Sequence, residues 1–167
     1  KWSALEELQK NAEVSRVNDS SFAQTLLTVI QVAQVELLES WNILPEAVVG
    51  HSSGEVAAAF CIGALSREQA WTISSAKASA LLHLESPDLK LKGSMLAAGC
   101  SEAEANELLA RVKTGKAVVA CVNSPTSVTI SGDDTAIYEM QTLLQDSKIF
   151  ERKLRVDHAY HSHHMQK

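Results

Sequence analysis

The sequence predicts an α/β chain in two lobes, and three observations predict it. A β-branched run, Val48-Val49, ends in Gly50 and leads at once into Gly50-His51-Ser52-Ser53-Gly54-Glu55 and an alanine-rich helical stretch. From Gly93 onward, short β-rich runs alternate with amphipathic stretches in the order β-α-β-β-α-β, the split pattern of ferredoxin-like units. Residues 85–92, with Pro87, lie between the two parts and read as a linker. The expected division is residues 1–92 for the first lobe, 93–156 for the ferredoxin-like lobe, and 157–167 for a return to the first.

Taken in order, residues 1–19 are polar, with a short helix expected over 3–9. Ser21-Phe22-Ala23-Gln24 reads as a capping box, followed by an apolar helical face of Leu26, Leu27, Ile30, Ala33, Val35, Leu37 and Leu38 up to about Trp41. Gln34 on that helix reads as a solvated position, and Gln31 is left open. Pro45 is expected to break the helix, and residues 47–49 to form a buried strand. After the elbow helix, Gly63-Ala64-Leu65 makes a turn, and Ser66-Arg67-Glu68-Gln69 is a second capping box opening a helix to about Leu84. The second lobe then reads as a strand over 94–99 and a helix capped by Ser101-Glu102-Ala103-Glu104 and running through Val112. Strands over 117–122 and 127–131 follow, separated by Asn123-Ser124-Pro125-Thr126. A helix over 135–145 and a strand over 150–156 complete the pattern.

Composition narrows the classes. Of 167 residues, 46% are hydrophobic and 21% charged, ordinary for a globular chain. A formal net charge of −5 with no basic stripe argues against nucleic acid. Cys61, Cys100 and Cys121 are odd in number and widely spaced, which fits a reduced compartment rather than a disulfide framework. No apolar run is read as approaching the ~20 residues that cross a bilayer, so no membrane partner is expected. No signal peptide is read, and both ends read as cut from a longer polypeptide.

The chemistry centres on Ser52. Strand, G-x-S-x-G and helix in succession form a nucleophile elbow. The flanking glycines are expected to leave room for a sharp turn, and the helix N-terminus favours a developing oxyanion. The Ser53 N–H is the first oxyanion donor in such a turn. The tail from Asp157 to Met165 holds four of the six histidines. It admits a metal site, a general base for Ser52, or a surface cluster. Against the metal, His161 and His163 should alternate along extended chain, and no Cys or Glu completes a ligand set.

Resemblance chooses among these readings. Gly50-His51-Ser52-Ser53-Gly54-Glu55, Gly63-Ala64-Leu65-Ser66, Val122-Asn123-Ser124-Pro125 with Ser131-Gly132-Asp133, and Ala159-Tyr160-His161-Ser162 resemble, in order, the acyltransferase domain of a polyketide synthase. The Gly-His-Ser-Ser-Gly-Glu form and Tyr160-His161-Ser162-His163-His164-Met165 most resemble the fungal, highly reducing type. The resemblance implies a partial α/β-hydrolase-like lobe with the elbow, plus an inserted ferredoxin-like βαββαβ subdomain. It implies that Ser52 takes an acyl group, malonyl or another short one, from coenzyme A. Ser52 then passes it to the phosphopantetheine thiol of an acyl carrier protein. By the same resemblance His161 is the base, oriented by a backbone carbonyl, and Tyr160 takes part in choosing malonyl over methylmalonyl. His51 lines the pocket, and Asn123 lies near it or simply forms a turn. No bound cofactor or metal is implied. Partners are acyl-CoA, the carrier protein and neighbouring synthase domains, in the cytoplasm.

Two departures from the family's pattern stand out. Lys77 occupies the position of an arginine that holds the malonyl carboxylate, and lysine is a point charge where arginine is a two-pronged fork. Either malonyl selectivity is weakened or Lys77 is a solvated helix residue. The family's Gly-Gln-Gly loop, which supplies a second oxyanion donor, is expected to precede residue 1. Two other readings stand beside the transferase. One is a serine hydrolase, with Asp133, Asp134 or Asp157 as nominal acid; the other is a non-catalytic remnant of an acyltransferase domain.

Overall fold

A computed structural model describes residues 2–84, 92–156 and 158–166. The linker reading of 85–92 lies outside these except for Lys92, as does Asp157. The chain divides into two compact units, residues 1–89 and 90–167.

The first unit is helical: α1 (Ala4–Leu8), α2 (Ser20–Ser40), α3 (Gly54–Cys61) and α4 (Arg67–Leu84). Ser3 caps α1 by accepting from the Glu6 N–H. Behind it the buried Glu7 carboxylate takes the Lys10 ammonium at 2.7 Å and the Arg16 N–H at 2.6 Å. Chiefly the Lys10 hydrogen bond, then the Arg16 N–H, hold its carboxyl at about 2, below the ordinary 4.5. A depressed carboxylate contributes stability that is full above its unfolded pKa and is lost as pH falls through the folded one. Glu7→Gln should therefore lower the melting temperature at neutral pH. A melting series should show that deficit shrinking as pH drops from 4.5 toward about 2.

α2 departs from expectation at its start, where Asp19 rather than Ser21 is the N-cap, two residues earlier and with no side-chain cap bond. It ends at Ser40 with Trp41 as C-cap, close to the expected Trp41, but Pro45 is not what stops it. Asn42 adopts a left-handed φ of 59°, its N–H reaches the Glu39 carbonyl, and the Ile43 N–H reaches the Leu38 carbonyl. That is a Schellman termination. By length and composition the segment Ser21–Ser40 could cross a membrane, which corrects the expectation that no run approaches that length. One face of α2 is nonetheless used internally, with Leu26 and Val32 buried and Val32 packed with Val56 of α3 and Ala70 of α4.

The strand expected over 47–49 does not form. A strand needs a ladder partner as well as β-branched residues; the segment has no ladder among the described residues, and Val49 is 94% exposed. α3 closes with a second Schellman turn at Gly63, φ 74°. Ser66 and Gln69 make the expected capping box, each backbone N–H bonded to the other's side chain.

The second unit has β1 (Gly93–Ala98), α5 (Glu102–Leu109), β2 (Ala117–Ser124), β3 (Ser127–Asp133), α6 (Asp134–Asp146) and β4 (Glu151–Lys153). The sheet order is β2-β3-β1-β4, antiparallel throughout. This is the ferredoxin-like arrangement. Leu96, Val128 and Ile130 from the sheet close a core with Ala105 and Leu108 of α5 and Ile137, Met140 and Leu144 of α6. The spacing 137, 140, 144 lines one helical face. Ser101 and Glu104 form the full capping box, but α5 ends at Leu109 rather than Val112. β4 ends at Lys153 rather than 156. The tail is not extended, because residues His163–Met165 wind into a 3-10 turn capped by the Ser162 hydroxyl.

Candidate active site

The elbow is built by backbone geometry. Ser52 holds φ at 53°, a left-handed value that costs a side-chain-bearing residue energy. Gly50 makes the turn possible, since a Cβ there would lie 2.5 Å from the Glu55 N and Cα. Gly54 is under no such demand, for its nearest neighbour would be the Gln31 amide at 3.8 Å. Only one of the two expected steric requirements is therefore present. Helical bonds begin at once, with the Gly54 N–H on the His51 carbonyl and the Glu55 N–H on the Ser52 carbonyl. Ser53 is the N-cap of α3 in helical conformation, and its hydroxyl makes no cap bond. His51 and Ser52 are exposed.

A concave surface of about 500 Å³ opens beside the elbow, lined by Gln31, Val48, Gly50, His51, Gly54 and Ala58 among others. Gln31 is the residue that sequence reasoning left unassigned. Its Oε1 is buried without a hydrogen-bond partner among the described residues. The signal was available in part, since a glutamine inside an apolar helical face demands a reason. Lys77 is exposed on α4, beside the face made by the buried Ser74, Ala78 and Leu81.

In the second unit, Asn123 lies near the end of β2, and its amide donates to the Thr129 hydroxyl at 3.1 Å. Tyr160 is half-buried, its ring 5.7 Å from that of His158. His161 is exposed and has φ at 60°. Four side-chain-bearing residues take left-handed φ among the described residues. Asn42 and Lys148 are accounted for as helix terminators, since the Lys148 N–H reaches Gln145 and the Ile149 N–H reaches Leu144. The two without that account are Ser52 and His161. Strain of this kind collects at functional positions. Ser52, His51, Ser53 and Lys77 belong to the first unit and Asn123, Tyr160 and His161 to the second.

Sequence reasoning named Asp133 only as a nominal acid of a hydrolase and missed its pairing with the histidine tail. The Nε2 atoms of His163 and His164 sit 3.1 and 2.7 Å from its Oδ1, and its Oδ2 accepts the Lys116 N–H at 2.7 Å. Burial pushes the Asp133 carboxyl up, but the hydrogen bonds from His164, Lys116 and His163 together hold it below the usual range. Asp133, His163 and His164 place their ligand atoms within 4.8 Å of one another and could hold a metal ion. Asp133 thus supplies, from outside the tail, a carboxylate that joins two of its histidines. Asp134 is engaged elsewhere, with the Ser94 hydroxyl and the Lys153 ammonium.

Comparison with known proteins completes the picture. Residues 2–167 match the family model described as acyl transferase domain. A partially reducing polyketide synthase of Menisporopsis theobromae is 52% identical over 164 residues, 98% of this chain and 6% of that protein. A highly reducing polyketide synthase of Preussia isomera is 51% identical over 165 residues, 99% of this chain and 7% of that protein. The chain thus spans less than a tenth of the length of either relative. Among solved structures, the acyltransferase domain from module 8 of the salinomycin polyketide synthase is 29% identical with a TM-score of 0.82. The match covers 95% of this chain and 36% of that one. A loading acyltransferase from the avermectin modular polyketide synthase gives 25% and 0.88, over 99% of this chain and 52% of that one. The elbow sequence, the ferredoxin-like sheet order and these matches lead to one statement: the chain belongs to the acyl transferase domain family, in the company of fungal polyketide synthases.

Proposed function

We propose that this chain carries a malonyl or other short acyl group from coenzyme A, through an ester on Ser52, to the phosphopantetheine thiol of an acyl carrier protein in polyketide assembly. The observation that carries it is the pair of left-handed residues without a capping role, Ser52 and His161, in a chain of the acyl transferase domain family.

His161 takes the Ser52 hydroxyl proton as Oγ attacks the thioester carbonyl. The oxyanion is met by the Ser53 N–H at the start of α3. Collapse breaks the C–S bond, and His161 returns the proton to the departing CoA thiolate. In the second half His161 deprotonates the carrier thiol, which attacks the Ser52 ester, and the proton goes back to Oγ. His51 and Tyr160 border the acyl group, Asn123 lies near it, and Lys77 meets a malonyl carboxylate. No metal or bound cofactor has a part in these steps. The reading makes the neighbouring synthase domains the partners, places the reaction in the cytoplasm, and gives nucleic acid and membrane no role.

The test is the fate of the acyl group in the full-length protein supplied with malonyl-CoA, acetyl-CoA and carrier protein. Transfer to the carrier supports the reading. Rapid release of free acid identifies a hydrolase instead, and no acylation above Ser52→Ala identifies a non-catalytic remnant. The same assay weighs Lys77. Because an ammonium holds a carboxylate less specifically than a guanidinium fork, Lys77→Arg should raise loading of malonyl relative to acetyl. Equal or lower malonyl loading in the arginine variant contradicts that role.

A further inference from the structure

Asp133 is the N-cap of α6, yet its side chain makes no cap bond. A carboxylate at an N-cap ordinarily bonds the first turn of its own helix. Here it is turned away. One oxygen is fixed by the Lys116 N–H, while the Asp133 N–H itself bonds the Lys116 carbonyl. The other oxygen receives both His163 and His164, two and three residues beyond His161. The same loop is pinned at two further points. Gly93 of β1 packs so closely on it that a Cβ there would lie 2.6 Å from the Ala159 Cβ and 3.0 Å from the His164 Nδ1. Ser162 closes the turn, its buried hydroxyl donating to the Ala159 carbonyl at 2.6 Å and accepting the His164 N–H at 3.2 Å. Between these anchors His161 is held left-handed and exposed.

We infer that Asp133 is a positioning residue for His161, gripping His163 and His164 so that the loop end of the ferredoxin-like sheet presents the base in its strained conformation. The inference rests on the proposed role of His161. A left-handed histidine persists only where its surroundings over-determine it. Misplacing a reacting group by about 1 Å can cost on the order of 10²-fold in rate. Loss of the grip therefore appears in the chemical step rather than in acyl-CoA binding. Asparagine offers one acceptor oxygen where two sides need one each, so Asp133→Asn falls between wild type and Asp133→Ala.

The experiment compares carrier acylation by full-length His161→Gly, Asp133→Ala and Asp133→Asn, with and without added imidazole. Expected is a fall of about 10²-fold in kcat for Asp133→Ala with KM for acyl-CoA little changed. Imidazole, serving as a diffusible base, should recover part of that loss, as it should for His161→Gly. A merely unstable domain gains nothing from imidazole. Should Asp133→Ala not fold, His164→Ala and His163→Ala remove the same contacts from the other side. Wild-type kcat in Asp133→Ala, or a loss that imidazole leaves untouched, overturns the inference while leaving the transferase reading intact. Wild-type transfer by His161→Gly would instead remove the general-base assignment itself.

Discussion

If His161 is the base proposed above, His161→Ala should slow transfer of the acyl group to carrier protein by about 10²–10⁴-fold, the usual contribution of a positioned general base. The loss falls on kcat and kcat/KM together, because the proton moves only as the transition state forms. Alanine keeps the residue count and the left-handed position, φ 60° in the wild type, so the variant reports on the imidazole rather than on the turn. Steady-state rates with a saturating carrier protein measure it. His158, His163 and His164 serve as internal comparison. Neutral-amide replacement of His158 should not reproduce the loss, and replacement of the other two should do so only through the loop they anchor.

Gly50→Ala has the second large effect, and it acts on the nucleophile. An added methyl would sit 2.5 Å from two backbone atoms of Glu55. Backbone at the first turn of α3 cannot yield as a flexible side chain would. Overpacking of this kind costs about 1–3 kcal/mol, and the movement that relieves it shifts Ser52. Acylation of Ser52 should fall by about 10²-fold or more for a displacement near 1 Å, and the melting temperature should drop. Gly54→Ala is the contrast: with nothing nearer than 3.8 Å, it should fold with unchanged or slightly raised stability, since alanine is the better helix former. Paired melting curves and acylation rates decide it. Equal behaviour of the two variants would mean that Gly50 is not what shapes the elbow.

What sequence made legible follows from how local each feature is. The boxes at Ser66 and Ser101 are closed by residues three apart, so they can be read off the chain. The end of α2 near Trp41 was legible, but what ends it was not, because the stop depends on Asn42 taking a left-handed φ while Pro45 is the louder signal. Val48-Val49 has strand composition without a ladder. Composition states a preference, and pairing needs a partner strand. Asp133 and its histidines lie 30 and 31 residues apart in sequence, brought together only by the sheet and the 3-10 turn. That long-range closure is invisible in spacing, which is why the tail read as histidines with no Cys or Glu to complete a ligand set. Ser52 and His161 are proposed from the motifs around them, and the left-handed backbone at both positions supports that proposal.

Mass spectrometry of the full-length protein, intact and after digestion, following brief exposure to malonyl-CoA shows whether Ser52 becomes an acyl ester. A malonyl mass increment is expected on the Ser52 peptide, absent in Ser52→Ala, slowed in His161→Ala, and discharged on adding carrier protein. An increment on another residue, or none on wild type under any acyl-CoA, would contradict it.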